Sequence, residues 1–136
     1  MRIDFRRWIE RRSSNWLQDL RQKLVNNPRA GLGECGIDKG PKAPKVDVAL
    51  QLDIFTQQLQ LAQELRRPVS IHCVRAFGNV HEALLQLRID VPVVLHSYTG
   101  SQEMVTTFKQ LPRIYFSLSG SLTKVPPEKA IGMEYT

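Results

Sequence analysis

Four short apolar runs alternate with longer stretches in which apolar residues recur every three or four positions. The runs are Ala30–Glu34, Val69–His72, Val93–His96 and Ile114–Leu118, and their length and composition predict strands. Trp16, Leu17, Leu20 and Leu24 mark a first helix, opened by Ser13 or Ser14 and closed at Asn26-Asn27-Pro28. The strongest periodic signal is Val48, Leu52, Phe55, Leu59 and Ala62, which leaves Gln51, Gln58 and Glu64 on the polar face of a second helix. Arg66-Arg67-Pro68 ends it, because proline disfavours helical geometry in the residue before it. Val80, Ala83, Leu84 and Leu87 give a third helix over Asn79 to Leu87, and Ser101 opens a fourth carrying Met104, Val105 and Phe108. His81 lies off the third helix's stripe, which predicts a surface position. Gly36 to Pro41 reads as a loop, since Gly and Pro punctuate both ends.

Strands of this length alternating with helices are the pattern of an α/β protein with a parallel sheet covered by helices. The periodicity leaves open a doubly wound sheet or a (β/α) barrel. In both, functional residues gather at the C-terminal ends of the strands. The first three runs finish in Glu34, His72 and His96, each able to bind a metal.

A chain of 136 residues is long enough for one domain with a real core and too short for two of ordinary size. No apolar run approaches the roughly 18 to 20 residues that cross a bilayer, so no membrane partner is expected. The net charge of +6 is concentrated at the start. Residues 1–30 hold eight basic side chains against Asp4, Glu10 and Asp19, and the remainder is nearly neutral. A basic N-terminal segment over 1–12 therefore carries much of the charge, readable either as a phosphate-binding arm or as a solvated helix face. Those acidic residues argue against a transit peptide, and with no apolar signal core the expected location is cytoplasmic or nuclear.

A carboxylate and neutral imidazoles from different strands can converge on one divalent ion, which polarises a phosphoryl oxygen and lowers the pKa of bound water. Oxygen and nitrogen ligands suit Mg²⁺, Mn²⁺ or Zn²⁺ alike. Taken singly, a buried His is more often a hydrogen-bonded structural group; three at equivalent strand ends form a pattern. The two cysteines, Cys35 and Cys73, directly follow candidate ligands. They read as free thiols, with a second reading as a thiolate–imidazole zinc site of Cys35, His72, Cys73 and His96.

Several words in order give a more specific picture: Gly33-Glu34-Cys35-Gly36-Ile37-Asp38, Gln57-Gln58-Leu59 through Leu65, Arg67-Pro68, Ser70-Ile71-His72, Leu95-His96-Ser97-Tyr98-Thr99-Gly100-Ser101 and Tyr115-Phe116-Ser117-Leu118-Ser119-Gly120. From about Ser13 to Gly120 the chain resembles the TatD family of metal-dependent deoxyribonucleases. The resemblance implies a (β/α) TIM-type barrel of the amidohydrolase kind, a two-metal centre, and hydrolysis of phosphodiester bonds in DNA. It implies Glu34 as the carboxylate bridging or binding the metals, His72 and His96 as imidazole ligands, and Asp38 as the residue orienting substrate or water. Arg75 becomes a candidate phosphate contact, since a planar guanidinium suits phosphate oxygens.

The chain also departs from that family. It has no His before His72, where the family carries a His-x-His pair, and it diverges over 121–136 without the family's late Glu-Thr-Asp word. The expectation is a single partial TatD-like domain over 1–136, with roughly four of the eight βα units of a barrel of about 250 residues. Half a barrel has unpaired edges and exposed apolar faces, which favours self-association. Two functional readings follow: a TatD-like hydrolase retaining Glu34, His72 and His96, or a truncated or splice-variant fragment without turnover that at most binds metal or a partner.

Overall fold

The structure, a computed structural model, describes residues 9–41 and 46–118. Its elements in chain order are α1 (Trp16–Asn26), β1 (Leu32–Asp38), α2 (Val48–Leu65), β2 (Val69–Val74), α3 (Phe77–Gln86), β3 (Val93–Leu95), α4 (Gln102–Phe108) and β4 (Ile114–Phe116). The four strands form one parallel sheet in the order β1-β2-β3-β4. The α/β expectation holds, with four parallel strands joined by three crossover helices among the described residues. Residues 1–8 of the basic segment and the whole of 121–136 lie outside the described residues.

Alternation along the strands decides which side is core. Val69 and Ile71 on β2, Val93 and Leu95 on β3, and Phe116 on β4 are buried against helices. Phe55, Leu59 and Ala62 of α2, Val80 and Leu84 of α3, and Val105 and Phe108 of α4 close over them. The intervening residues Ser70 and His72, Val94 and His96, and Tyr115 and Ser117 face the other way, onto a side without helices among the described residues. Tyr115 is 55% exposed there.

Helix ends follow local chemistry. The Asp47 carboxylate accepts the Ala49 N–H at 3.0 Å to cap α2, and the Ser101 hydroxyl accepts the Met104 N–H at 3.2 Å to cap α4. Arg66 ends α2 in the left-handed conformation, one residue earlier than the proline rule requires. The expected serine cap of α1 is not made: Asn15 occupies the cap, and the Ser13 hydroxyl instead donates to Asp19 at 3.4 Å.

Three sequence expectations need correction. Gly36 to Asp38 belong to β1 and not to a loop, so Glu34 lies inside its strand rather than at its end. Gln51 and Gln58 are buried at 1% and 5% exposure, because α2 is covered over a wider arc than its apolar stripe. His81 is half-buried, edge-on to Phe108 with ring centroids 5.5 Å apart.

Candidate metal centre

Glu34 and Asp38 of β1, His72 of β2 and His96 just after β3 come together as two pairs. Glu34 Oε1 lies 3.4 Å from His96 Nε2. Asp38 Oδ2 lies 3.3 Å from His72 Nε2. Ile71 pairs with Leu95 in register, so His72 and His96 stand side by side on adjacent strands, and the His96 N–H donates to the Ile71 carbonyl at 2.9 Å. Beneath Glu34 and His96 an open cleft of about 490 Å³ is lined by Gly33, Pro68, Ser70 and Val94.

The register of β1 slips between Leu32 and Cys35, which turns both Gly33 and Glu34 toward the open side while Cys35 and Ile37 are fully buried behind. Close strand approach depends on glycine here. A Cβ on Gly36, whose φ is +145°, would sit 1.7 Å from the His72 carbonyl oxygen, and one on Gly33 would sit 2.8 Å from Ser70 Cβ.

Each pair has a fixed base. Gln51, missed in the sequence because it was read as polar-face, clamps the end of β1: its Oε1 accepts the Asp38 N–H at 2.9 Å. Its Nε2 donates to the Asp38 and Val46 carbonyls at 3.2 and 3.1 Å. Asp38 Oδ1 in turn accepts the Gly40 N–H at 2.7 Å. Ser117, also missed, places its hydroxyl 3.2 Å from His96 Nδ1. The spacing Gln51, Phe55, Gln58, Ala62 held a signal for the first, and the alternation Ile114/Phe116 against Tyr115/Ser117 for the second.

Arg75 is exposed just past β2 with φ +55°, and among the described residues it makes no ion pair with Glu34 or Asp38. The thiolate alternative does not survive. Cys35 is buried on the helix side, its thiol 3.7 Å from the Ser70 carbonyl, and burial pushes its pKa well up. Burial likewise pushes the Cys73 thiol up to about 12, with the Asp38 carboxylate adding to the shift. Both cysteines are free.

Two ligands on neighbouring vertices of a tetrahedral ion, at bond lengths near 2.0–2.1 Å, stand about 3.3 Å apart. The separations in both pairs match that edge, and carboxylate with imidazole suits a divalent cation. The three ligands expected to share an ion are instead split: Glu34 meets His96, while His72 meets Asp38. Among the described residues no three His, Cys, Asp or Glu side chains converge on one point. The donors fit a metal in kind and spacing, two at a time.

The family model for TatD-related DNases matches residues 6–133. The chain belongs to the TatD-related DNase family. It is 31% identical over 121 residues to the human 3′-5′ RNA nuclease TATDN2, covering 87% of this chain and 15% of that protein. It is 32% identical over 98 residues to the 3′-5′ ssDNA/RNA exonuclease TatD of Yersinia pseudotuberculosis, covering 67% of this chain and 36% of the relative. The crystal structure of the TatD homologue YJJV from Escherichia coli superposes with a TM-score of 0.76 at 26% identity, over 85% of this chain and 44% of that one. The chain thus spans less than half the length of these TatD relatives, and the four-stranded sheet corresponds to part of their barrel. No described helix is long and apolar enough to cross a membrane.

Proposed function

We propose that this TatD-family chain carries part of a metal-dependent phosphodiesterase centre acting on DNA, with Glu34 and His96 holding one divalent ion and His72 with Asp38 facing the second. The observation that carries this reading is the spacing within the two carboxylate–imidazole pairs contributed by β1, β2 and the end of β3 of the parallel sheet. A divalent ion bound there supplies Lewis acidity and an activated water. The chain's own groups do the rest. Glu34 and His96 would fix the first ion's position, His72 would face the second, Asp38 orients substrate or water across His72, and Arg75 at the rim meets a phosphate. Mg²⁺, Mn²⁺ and Zn²⁺ all fit the donor set, and a cytosolic or nuclear setting suits a nuclease with free thiols.

A second reading has its own support. With no three ligands converging among the described residues, the polypeptide binds an ion weakly and turns nothing over alone, and its β1 and β4 edges, unpaired among the described residues, favour self-association. One experiment separates the two: calorimetric titration with Mn²⁺, followed by assay on a short single-stranded DNA, for the wild type and Glu34→Ala. Manganese-dependent cleavage lost in Glu34→Ala supports the hydrolase. Metal uptake lost in Glu34→Ala, without cleavage by the wild type, supports the binding fragment. Identical metal uptake in both proteins would sink both readings of Glu34.

A further inference from the structure

The end of the sheet opposite Glu34, His72 and His96 is built from the helix-to-strand turns, and each of these carries an exposed cation. Arg29 precedes β1, Arg66 precedes β2, Arg88 precedes β3, and Lys109 with Arg113 precede β4. Among the described residues two acidic side chains stand with them. Glu64 is taken by Arg21 in a forked pair, both contacts at 2.8 Å, and Asp90 is ion-paired to Arg66. The other end has the reverse balance: its described residues include Glu34, Asp38, Asp47 and Glu103 against Lys39 and Arg75. Charge is thus sorted along the strand axis.

A cation near a helix C-terminus complements the helix dipole, which accounts for part of this sorting. Two observations exceed it. The last turns of α2 and α3, where the dipole acts most strongly, hold no basic residue. Arg66, Arg88 and Arg113 instead occupy the turns themselves with φ of 57°, 51° and 54°, the left-handed region in which glycine or asparagine is less strained. The turns are also fixed to one another. Gln63 Nε2 donates to the Asp90 carboxylate at 2.7 Å, and its Oε1 accepts the Asp90 N–H at 3.1 Å. Hydrogen bonds from Arg66 and then Gln63, with the charges of Arg66 and Arg113 adding, hold the Asp90 carboxyl below the usual carboxylate range. Asp90 therefore stands between the cations that lead into β2 and β4.

We infer that this end of the sheet is a binding surface for the phosphate backbone of a nucleic acid, with Arg66, Arg88 and Arg113 as its contacts and Asp90 as the group that limits its affinity. Neighbouring strands lie about 4.8 Å apart, so the starts of β2, β3 and β4 span about 10 Å. A nucleic acid strand with a phosphate about every 3.4 Å presents about three charges over that length. The forked donors of a guanidinium match phosphate oxygens two at a time. Even spacing of the arginines favours a backbone with a regular charge repeat over an acidic patch on a protein. Contacts of this kind read no base, so binding is indifferent to sequence. The surface shares only its partner class with the proposed function and needs no metal, so measurement in EDTA keeps failure of the one apart from failure of the other.

The test is fluorescence anisotropy of a labelled oligothymidylate with the full chain in EDTA, over a range of salt from about 0.05 to 0.3 M. Arg88→Gly/Arg113→Gly removes two charges where the backbone favours glycine, so it should unfold at a urea concentration no lower than wild type. At about 0.7 in slope for each contact to a single strand, it should flatten log K against log salt by about 1.4. With equal affinity at about 1 M salt, that is about 25-fold weaker binding at about 0.1 M. Asp90→Asn should tighten binding about 5-fold at the same salt. Arg11→Gln/Lys39→Gln removes the same charge elsewhere and should change affinity less than about 3-fold. An unchanged slope in the glycine double, an equal loss in Arg11→Gln/Lys39→Gln, or no gain in Asp90→Asn overturns the inference. So does a wild type that leaves the probe free at about 0.05 M salt. A glycine double that unfolds shows the arginines to be structural and overturns it as well. Displacement of the probe by polyglutamate as effectively, charge for charge, as by unlabelled oligothymidylate overturns the choice of a nucleic acid and points to an acidic protein.

Discussion

Replacing Gly36 with alanine probes the junction on which the candidate centre rests. Gly36 pairs with His72 across β1 and β2, and its φ of +145° lies where side chains are rarely tolerated. An added Cβ would stand 1.7 Å from the His72 carbonyl oxygen and 2.7 Å from its carbonyl carbon. Both are backbone atoms, so no rotamer change relieves the overlap. Contact becomes tolerable near 3 Å, and the strands must therefore part by more than about 1 Å, or Gly36 must rotate out of register. The backbone conformation alone costs a non-glycine residue about 1–3 kcal/mol, and losing one or two ladder hydrogen bonds adds about 1 kcal/mol each. We expect Gly36→Ala to destabilise the fold by about 4 kcal/mol, a large fraction of the roughly 5–15 kcal/mol typical of a domain.

Gly78 supplies the control within the same chain. It sits in the first turn of α3 with nothing within 4 Å of an added Cβ. Gly78→Ala should therefore be neutral or gain up to about 0.8 kcal/mol from helix propensity and reduced freedom of the unfolded chain. Urea unfolding followed by far-ultraviolet circular dichroism measures both. A Gly36→Ala midpoint within 1 kcal/mol of wild type would refute the reasoning, because the parallel register that juxtaposes Gly36 and His72 would then not be the one the protein adopts. A Gly36→Ala chain already unfolded in the absence of urea, beside a folded Gly78→Ala, agrees with it.

Two other perturbations address the frame around the site. The Arg67 guanidinium donates to three carbonyls at the end of α1 and beyond, those of Leu24 (2.8 Å), Asn27 (2.8 Å) and Ala30 (2.9 Å), so Arg67→Ala should cost about 2 kcal/mol in urea unfolding, and Arg67→Lys should recover little of it, because an ammonium cannot span the fork. The Cys73 thiol is held up to about 12 by burial, whereas in an unfolded chain it ionises near 8.5. Its contribution is complete below about pH 8.5 and declines as pH rises toward 12, by about 1.4 kcal/mol per pH unit, so stability should fall less steeply over that range in Cys73→Ala than in wild type. Equal slopes for the two proteins would show that the thiol is already exposed in the folded state.

The strand-and-helix alternation was legible because each strand buries every second residue under a helix, leaving an apolar run in the sequence, and each helix leaves a three-to-four period. What escaped were features decided by neighbours far along the chain. Gly36 looked like a breaker, but its lack of a side chain is what lets β1 close on the backbone of His72, and the strand runs on through Ile37 to Asp38. The buried alternation of Cys35 and Ile37 was the available sign of a strand, overruled by the glycine on either side. Gln51 looked like surface because its partners are carbonyl and N–H groups at Asp38 and Val46, and a sequence does not display backbone groups seeking a side chain.

The candidate site was read in the same uneven way. Glu34, His72 and His96 are candidates by type and position, yet their grouping depends on a register slip between Leu32 and Cys35 that turns Glu34 toward His96. That slip leaves His72 to Asp38, a residue the word Gly-Glu-x-Gly-Ile-Asp contains but whose pairing it does not disclose. The glycines of that word thus have a mechanical role distinct from the chemistry of its acids. Gly33 admits Ser70 and Gly36 admits the backbone of His72, so that β1 lies close enough to β2 for Asp38 to reach His72. A bulkier residue at either position would separate the carboxylates from the imidazoles while leaving every candidate ligand in the sequence. Retention of ligand types alone is therefore a weaker sign of a metal centre in this family than retention of the ligands together with both glycines.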